Sequence, residues 1–233
     1  MKKRVWELDA LRGLCILGMV VVHFLYDLRA SGIIGNNAVL KFLLSWGGVL
    51  FLLISGICVT LGKRHLRRGI LVFACGMICT AVTAGMYALG MAGKGLIIYF
   101  GVLHCLGICM LLWGIFSRLP AWALGVLGAA LAAVGLFVFP GILVEHPWLI
   151  PLGIRFPRFA SSDYFPLIPN LGYFLIGAAL GCTVYRKKTT LLPRVNENIM
   201  PIRFLCFCGR KSLWIYLLHQ PILTGLLALV RLF

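Results

Sequence analysis

The chain has 233 residues, of which 61% are hydrophobic and only 12% charged, with a mean hydropathy of +1.01. A soluble domain of this length needs far more polar surface to cover itself, so the composition excludes one. The formal net charge of +16 would fit a nucleic-acid binder, but its placement follows membrane topology instead, and no nucleic-acid partner is expected.

Apolar runs of about 18 residues or more recur along the chain, the pattern of membrane helices. They predict seven spans: Ala10–Leu28, Val39–Leu61, Ile70–Leu89, Leu96–Phe116, Ala121–Phe139, Leu167–Val184 and Leu205–Val230. The expected fold is therefore all-α, a polytopic integral membrane helical bundle forming a single domain over residues 1–233. The first run does not read as a cleaved leader, because acids precede it, no small-residue cleavage site follows and further spans come after. With the N-terminus cytoplasmic, sixteen Lys and Arg fall inside and six outside. Lys2 and Lys3 count with the first group and Arg158 with the second. That bias predicts a cytoplasmic N-terminus. Inner loops are short and basic, "GKRHLRRG" and "YRKKTTLLPRVNENIMPIR". The long outer stretch from Pro140 to Pro166 carries prolines and aromatics, and Trp148, Phe156 and Tyr164 suit an interfacial segment. Small residues, Gly47 and Gly48 or Gly177 and Gly181, suit close helix approach and are compatible with a homodimer.

The first span, "ELDALRGLCILGMVVVHFLYDL", holds ionisable residues that lipid would penalise. At about 100° per residue, Asp9, Arg12, His23 and Asp27 share one stripe about 60° wide. Such a stripe must face the bundle interior or a watery cavity. Asp9 and Arg12 stand one turn apart, a spacing that favours a salt bridge. His23 and Asp27 are i, i+4 neighbours, so the carboxylate can orient the ring.

By the helical rise, His23 lies roughly 7 Å and His104 roughly 12 Å below the outer face, while His219 is roughly 15 Å from the cytoplasmic end. Ser212, Tyr216 and His219 form a second stripe, and Pro221 leaves the carbonyl of Leu217 without its usual donor. Three histidines are thus expected to converge on one pocket. The competing reading makes each an interhelical hydrogen-bond donor or acceptor. A metal site is not expected, since HxH and HxxxH spacings are absent. His65 and His146 read as solvated. The nine cysteines lack CxxC spacing, and Cys75/Cys79 and Cys105/Cys109 read as small buried hydrophobes.

An imidazole beside a carboxylate is the usual general base for activating a hydroxyl or amine. A proton-coupled transporter of a small anion or glycan precursor uses the same residue types. A non-catalytic membrane partner or scaffold would instead leave the stripe without chemistry.

The stretches "RVWELDALRGLCILGMVVVHFLYDL", "FLLISGICVTLG", "FGVLHCLGICMLL", "SDYFPLIPNLGYFLIGAALG" and "GRKSLWIYLLHQPIL" resemble the heparan-α-glucosaminide N-acetyltransferase catalytic-domain family in its small bacterial form. The first and last also resemble the wider membrane acyltransferase superfamily. The resemblance implies transfer of an acetyl or other acyl group from cytoplasmic acetyl-CoA to an extracytoplasmic acceptor, a sugar amine or hydroxyl of a glycan, in a bacterial plasma membrane. On the resemblance His23, His104 and His219 match positions in the family's motifs and Arg12 the arginine near the first; with Asp27 beside His23, the three histidines form the expected catalytic group, and Asp163, Tyr164, Ser212 and Tyr216 are expected near the acceptor. Lysosomal members carry their catalytic histidine in the first extracytoplasmic loop. Here that loop, "RASGIIGNNAVLK", has none, so the role falls to His23 or His104. Arg12, Arg64, Arg67, Arg68, Arg210 and Lys211 lie on the expected cytoplasmic side, where the phosphates of coenzyme A need cationic partners.

Overall fold

The computed structural model describes residues 4–35, 37–144, 146–157 and 159–231. Lys2, Lys3 and Arg158, counted above for topology, lie outside the described residues. Eight α-helices follow in order: α1 Trp6–Ala30, α2 Ala38–Leu61, α3 His65–Ala88, α4 Val102–Phe116, α5 Ala121–Ala133, α6 Leu167–Thr183, α7 Met200–Arg210 and α8 Ser212–Arg231. Among the described residues no β-sheet forms, and the all-helical membrane class read from the composition is the observed one. Four stretches, Trp6–Ala30, Ala38–Leu61, His65–Ala88 and Ala121–Gly141, are long and apolar enough to cross a bilayer; Val102–Phe116, Leu167–Thr183 and Ser212–Leu227 are shorter apolar helices.

Local signals explain most boundaries. Glu7 and Asp9 occupy the first turn of α1 and Arg29 its last, each complementing the helix dipole. Pro120 and Pro166 precede α5 and α6, and Pro201 opens α7, where a missing N–H costs nothing. Gly90 takes φ +71° just past α3, and Met91 N–H returns to the Met86 carbonyl at 3.0 Å, closing the helix in the left-handed manner glycine permits.

Two spans differ from expectation. The fourth was expected from Leu96, but α4 starts at Val102. The apolar run before it is mostly extended, because Asp163 Oδ2 accepts the Val102 N–H at 3.1 Å and the Phe165 N–H bonds the Phe100 carbonyl at 2.9 Å. The last span, expected as one helix from Leu205, is two. Lys211 leaves helical geometry, with φ −99° and ψ 12°, so α7 ends at Arg210 and α8 begins at Ser212.

The chain forms two compact units. The first comprises Met1–Ile54 with Lys187–Phe233, the second Ser55–Arg186. Within the first, α1 packs against α7 and α8. A Cβ on Gly209 would lie 1.8 Å from the Asp9 carbonyl oxygen, and one on Gly13 would lie 1.9 Å from that of Leu205. The two backbones touch there, a contact only glycine allows. Buried Glu7 accepts from the Thr190 hydroxyl and the Leu191 N–H, both at 2.8 Å, pinning the basic loop to the start of α1. Within the second unit, α3 packs on α4 and α5 on α6. Gly181 meets Thr60 there, whereas Gly47 has no neighbour within 4 Å.

Candidate functional site

In the first unit, α1 and α8 run side by side and match polar residues at three levels. Arg12 Nη2 donates to Ser212 Oγ at 3.0 Å, and its guanidinium carbon stands 5.9 Å from the centre of the Phe51 ring. Asp9, spaced to pair with Arg12, has an ion pair with Arg4 at 3.7 Å. Next come the imidazoles of His23 and His219, edge to face with centroids 5.0 Å apart and planes at 77°. Last, Gln220 Nε2 donates to Asp27 Oδ2 at 3.1 Å. Three of the four residues in the stripe read from α1, Arg12, His23 and Asp27, therefore face α8, as the cost of ionisable groups in lipid requires.

His219 is buried, and its Nδ1 bonds the Tyr216 carbonyl. A carbonyl only accepts, so Nδ1 carries the proton and Nε2 of the neutral ring keeps its lone pair. The Tyr216 ring tilts against it at 5.5 Å. Arg12 Nε and Gln220 Oε1 are buried without a hydrogen-bond partner among the described residues, one a donor and one an acceptor. Buried orphans of this kind are rare, and here they sit on the seam that holds the histidines. Gln220 was not among the residues expected at the site. Its signal was its place beside His219 in "LHQP", but it falls off the Ser212–Tyr216–His219 stripe by one residue.

The second unit holds the other expected residues, and it uses them differently. His104 Nδ1 accepts the Gly101 N–H at 3.1 Å, so the neutral ring carries its proton on Nε2. That nitrogen stands 3.2 Å from Thr80 Oγ1, whose hydroxyl donates to the Ile98 carbonyl at 2.6 Å. Phe100 stacks on the ring at 5.5 Å and Phe73 meets it edge-on at 5.6 Å. A Cβ at Gly76 would reach within 3.0 Å of Nδ1. Both nitrogens thus serve the start of α4. Asp163, expected near an acceptor, caps that same helix through Val102. Tyr164 donates its hydroxyl to the Ile150 carbonyl at 2.8 Å and packs edge-on against Phe159 at 4.8 Å. Burial pushes its pKa up to about 12, against a smaller opposing pull from Arg155. Arg64, Arg67 and Arg68 are exposed around the start of α3. His65 is half-buried rather than solvated, with Nδ1 3.2 Å from the Met110 carbonyl, because it opens α3 against α4. His146 is exposed.

Over residues 4–221 the chain matches the family described as heparan-alpha-glucosaminide N-acetyltransferase, catalytic. The chain belongs to that family. No curated protein and no solved structure matches it. The family match runs from Arg4 to Pro221, so it takes in Arg12, His23, Asp27, Ser212, His219 and Gln220, the whole polar seam. In this member of the N-acetyltransferase family, Arg210 and Lys211 are exposed at the α7–α8 junction. Arg210 lines a cavity of about 520 Å³ with Arg4, Trp6, Asp9, Glu197, Arg203, Phe207 and neighbouring α7 residues. Lys211 lines an apolar groove of about 710 Å³ along α8, which reaches His219. Cys105 and Cys109 are buried with sulfurs 4.0 Å apart, and Cys105 also points to the Pro166 carbonyl.

Proposed function

We propose that the protein transfers an acetyl group from cytoplasmic acetyl-CoA to an extracytoplasmic amine or hydroxyl, with the His23–His219 pair accepting the acceptor's proton. The observation that carries this reading is the edge-to-face contact of the two rings at 5.0 Å, on a seam flanked by Arg12–Ser212 and Asp27–Gln220, in a chain of an N-acetyltransferase family.

The chemistry is a direct displacement. The acceptor nitrogen or oxygen attacks the thioester carbonyl, its proton moves to an imidazole, and the C–S bond breaks to release the thiol form of coenzyme A once that proton is returned. His219 suits the accepting role because its Nδ1 proton is held on a carbonyl, leaving the Nε2 lone pair as the basic site. Asp27 stands one turn from His23 along α1, at the spacing of side-chain neighbours on one helix face. The orphaned Arg12 Nε and Gln220 Oε1 give a donor and an acceptor to a substrate that carries amides. His104 is a poorer base, since both its nitrogens are engaged by the fold. A sugar amine or hydroxyl of a glycan remains the acceptor class we assign, from the family alone.

Purified protein incubated with radiolabelled acetyl-CoA and glucosamine tests this. Turnover that falls in His23→Ala and His219→Ala supports it. Absence of both acetyl-CoA binding and hydrolysis or transfer overturns it. Substrate flux into proteoliposomes without acetyl-CoA assigns the chain to transport instead.

A further inference from the structure

Two cavities of the first unit adjoin at one residue. The first, about 520 Å³, lies where α1 begins, with Arg4 and Asp9 on one wall and Arg203 and Arg210 of α7 on the other. The Cys206 thiol donates to the Trp6 carbonyl at 3.4 Å, joining those walls. The second, about 710 Å³, is a groove between Leu17 and Val20 of α1 and Ile215, Leu218 and Ile222 of α8. Phe207 lines both, and Lys211 stands at the near end of the groove. Arg203, Phe207 and Arg210 follow i, i+4, i+7 spacing, so the arginines and the shared ring lie on one helical face.

The chemistry of the two volumes differs sharply. Arg4, Arg203, Arg210 and Lys211 outnumber the carboxylates of Asp9 and Glu197, so the polar end suits an anion, and arginine holds phosphate through two parallel N–H bonds. The groove is apolar apart from Lys211 and His219. From Lys211 to Leu223 it follows α8 for about 18 Å, close to half of a hydrocarbon core about 30 Å thick. Its position fits as well. The membrane-spanning helix α1 starts at Trp6, which puts the basic cavity at the membrane–water boundary. Trp214, 61% exposed on the first turn of α8, is the kind of residue that boundary collects. A soluble anion would fill the cavity and leave the groove empty. An anionic head with a chain one leaflet long fills both.

We infer that the two cavities together seat one anionic glycerophospholipid, with its phosphate on Arg203, Arg210 and Lys211 and one acyl chain in the groove along α8. Phe207 stands where the glycerol joins head to chain. The inference goes beyond the acetyl-transfer reading and does not depend on it. It does have a consequence for the seam: His219 lines the same groove, so the seated chain forms the outer wall of the histidine pair.

The test is tryptophan fluorescence of the full chain in phosphatidylcholine bilayers holding a low mole fraction of phosphatidylglycerol brominated midway along its acyl chains. Bromine quenches on contact, and Trp214 is one of six tryptophans, so Trp214→Phe subtracts its share. Brominated phosphatidylglycerol should quench Trp214 at a mole fraction about 10- to 100-fold lower than brominated phosphatidylcholine needs, the preference that a few cations give an anionic headgroup. That preference should vanish in Arg203→Gln/Arg210→Gln/Lys211→Gln. It should survive in Arg203→Lys/Arg210→Lys, which keeps the charge and guards against a folding failure. Equal quenching by the two lipids in the unaltered chain makes the groove ordinary bilayer contact, and the inference falls. It falls too if the preference survives the glutamine variant, is lost in the lysine variant, or is unchanged once Trp214 is removed. A Trp214 shielded from both lipids means that protein, such as a second copy of the chain, covers the groove, and this also overturns it. None of these outcomes bears on acetyl transfer, which the labelled acetyl-CoA assay decides separately.

Discussion

The rings of His23 and His219 meet edge to face, 5.0 Å between centroids, from two helices that begin at the same end of the first unit. Neither ring has that environment without the other. Replacing either by alanine should lower acetyl transfer by about 10²- to 10⁴-fold, the usual contribution of a positioned acid–base group. Folding should persist, because neither change removes a cap or a close backbone contact. The check is turnover of labelled acetyl-CoA at saturating donor, alongside thermal melting of each variant. Equal turnover in His219→Ala and the unaltered chain would remove His219 from the chemistry.

His104 should behave in the opposite way. Its Nδ1 accepts the Gly101 N–H and its Nε2 faces Thr80, so His104→Ala leaves the Gly101 N–H at the start of α4 without its acceptor, while Asp163 still caps the helix through Val102. A stability loss of about 1–2 kcal/mol is expected, with turnover per folded molecule kept. Thr80→Val should reproduce part of the loss. A large fall in turnover with an unchanged melting temperature would return His104 to the active site.

How far these roles could be read in advance depended on where each residue's partner sits. The spans were legible because apolar length is a local property, and the stripe on α1 was legible because a charged group inside a span must face protein. The start of α4 was not. Leu96 to Phe100 are as apolar as the helix after them, and what ends the helix is a carboxylate 61 residues away in sequence. The break at Lys211 does carry a local signal, the run Gly209-Arg210-Lys211-Ser212, with basic residues closing one helix and a serine opening the next, but the apolar sequence on both sides reads as one span. For histidine the difficulty is sharper. His104 and His219 both look like lone polar residues on apolar helices, and only their partners separate them: a backbone N–H and Thr80 for one, His23 for the other.

Arg12 and Ser212 provide a direct measure of the seam. The hydroxyl accepts from a guanidinium at 3.0 Å, and Ser212 is buried. Ser212→Ala leaves a second Arg12 nitrogen without that acceptor, beside the already orphaned Nε. Bonds to charged groups contribute about 1.5–3 kcal/mol, so a loss of that order is expected in denaturant titration. Arg12→Lys should not restore it, because the ammonium is a point donor without the planar fork. A neutral Ser212→Ala would show that water replaces the hydroxyl.

Tyr164 gives a prediction in pH. Its folded pKa is raised from 10.0 to about 12 by burial, so the fold favours the protonated phenol. The associated stability is fully present below about pH 10 and is lost as pH rises toward 12. Melting followed between pH 8 and 12 should show a decline over that window. Tyr164→Phe cannot ionise and should flatten it, at the cost of the hydrogen bond to the Ile150 carbonyl. An identical decline in Tyr164→Phe would assign the alkaline loss to lysines instead.

The α1–α7 crossing should be the least tolerant position in the first unit. A Cβ on Gly209 would stand 1.8 Å from the Asp9 carbonyl oxygen, and the obstacle is backbone, not a side chain that can swing away. Gly209→Ala must therefore push α7 off α1, at a cost of at least about 1–3 kcal/mol for overpacking. Because α8 follows α7 after one residue, the shift should also loosen Arg12 from Ser212 and His23 from His219, so turnover should fall together with stability. Gly18, on the same helix, has no neighbour within 4 Å. Gly18→Ala should gain up to about 1 kcal/mol from helix propensity and leave turnover intact. Melting and turnover of the two variants side by side decide the matter: equal tolerance at both positions would mean that α7 does not pack on α1 at Gly209.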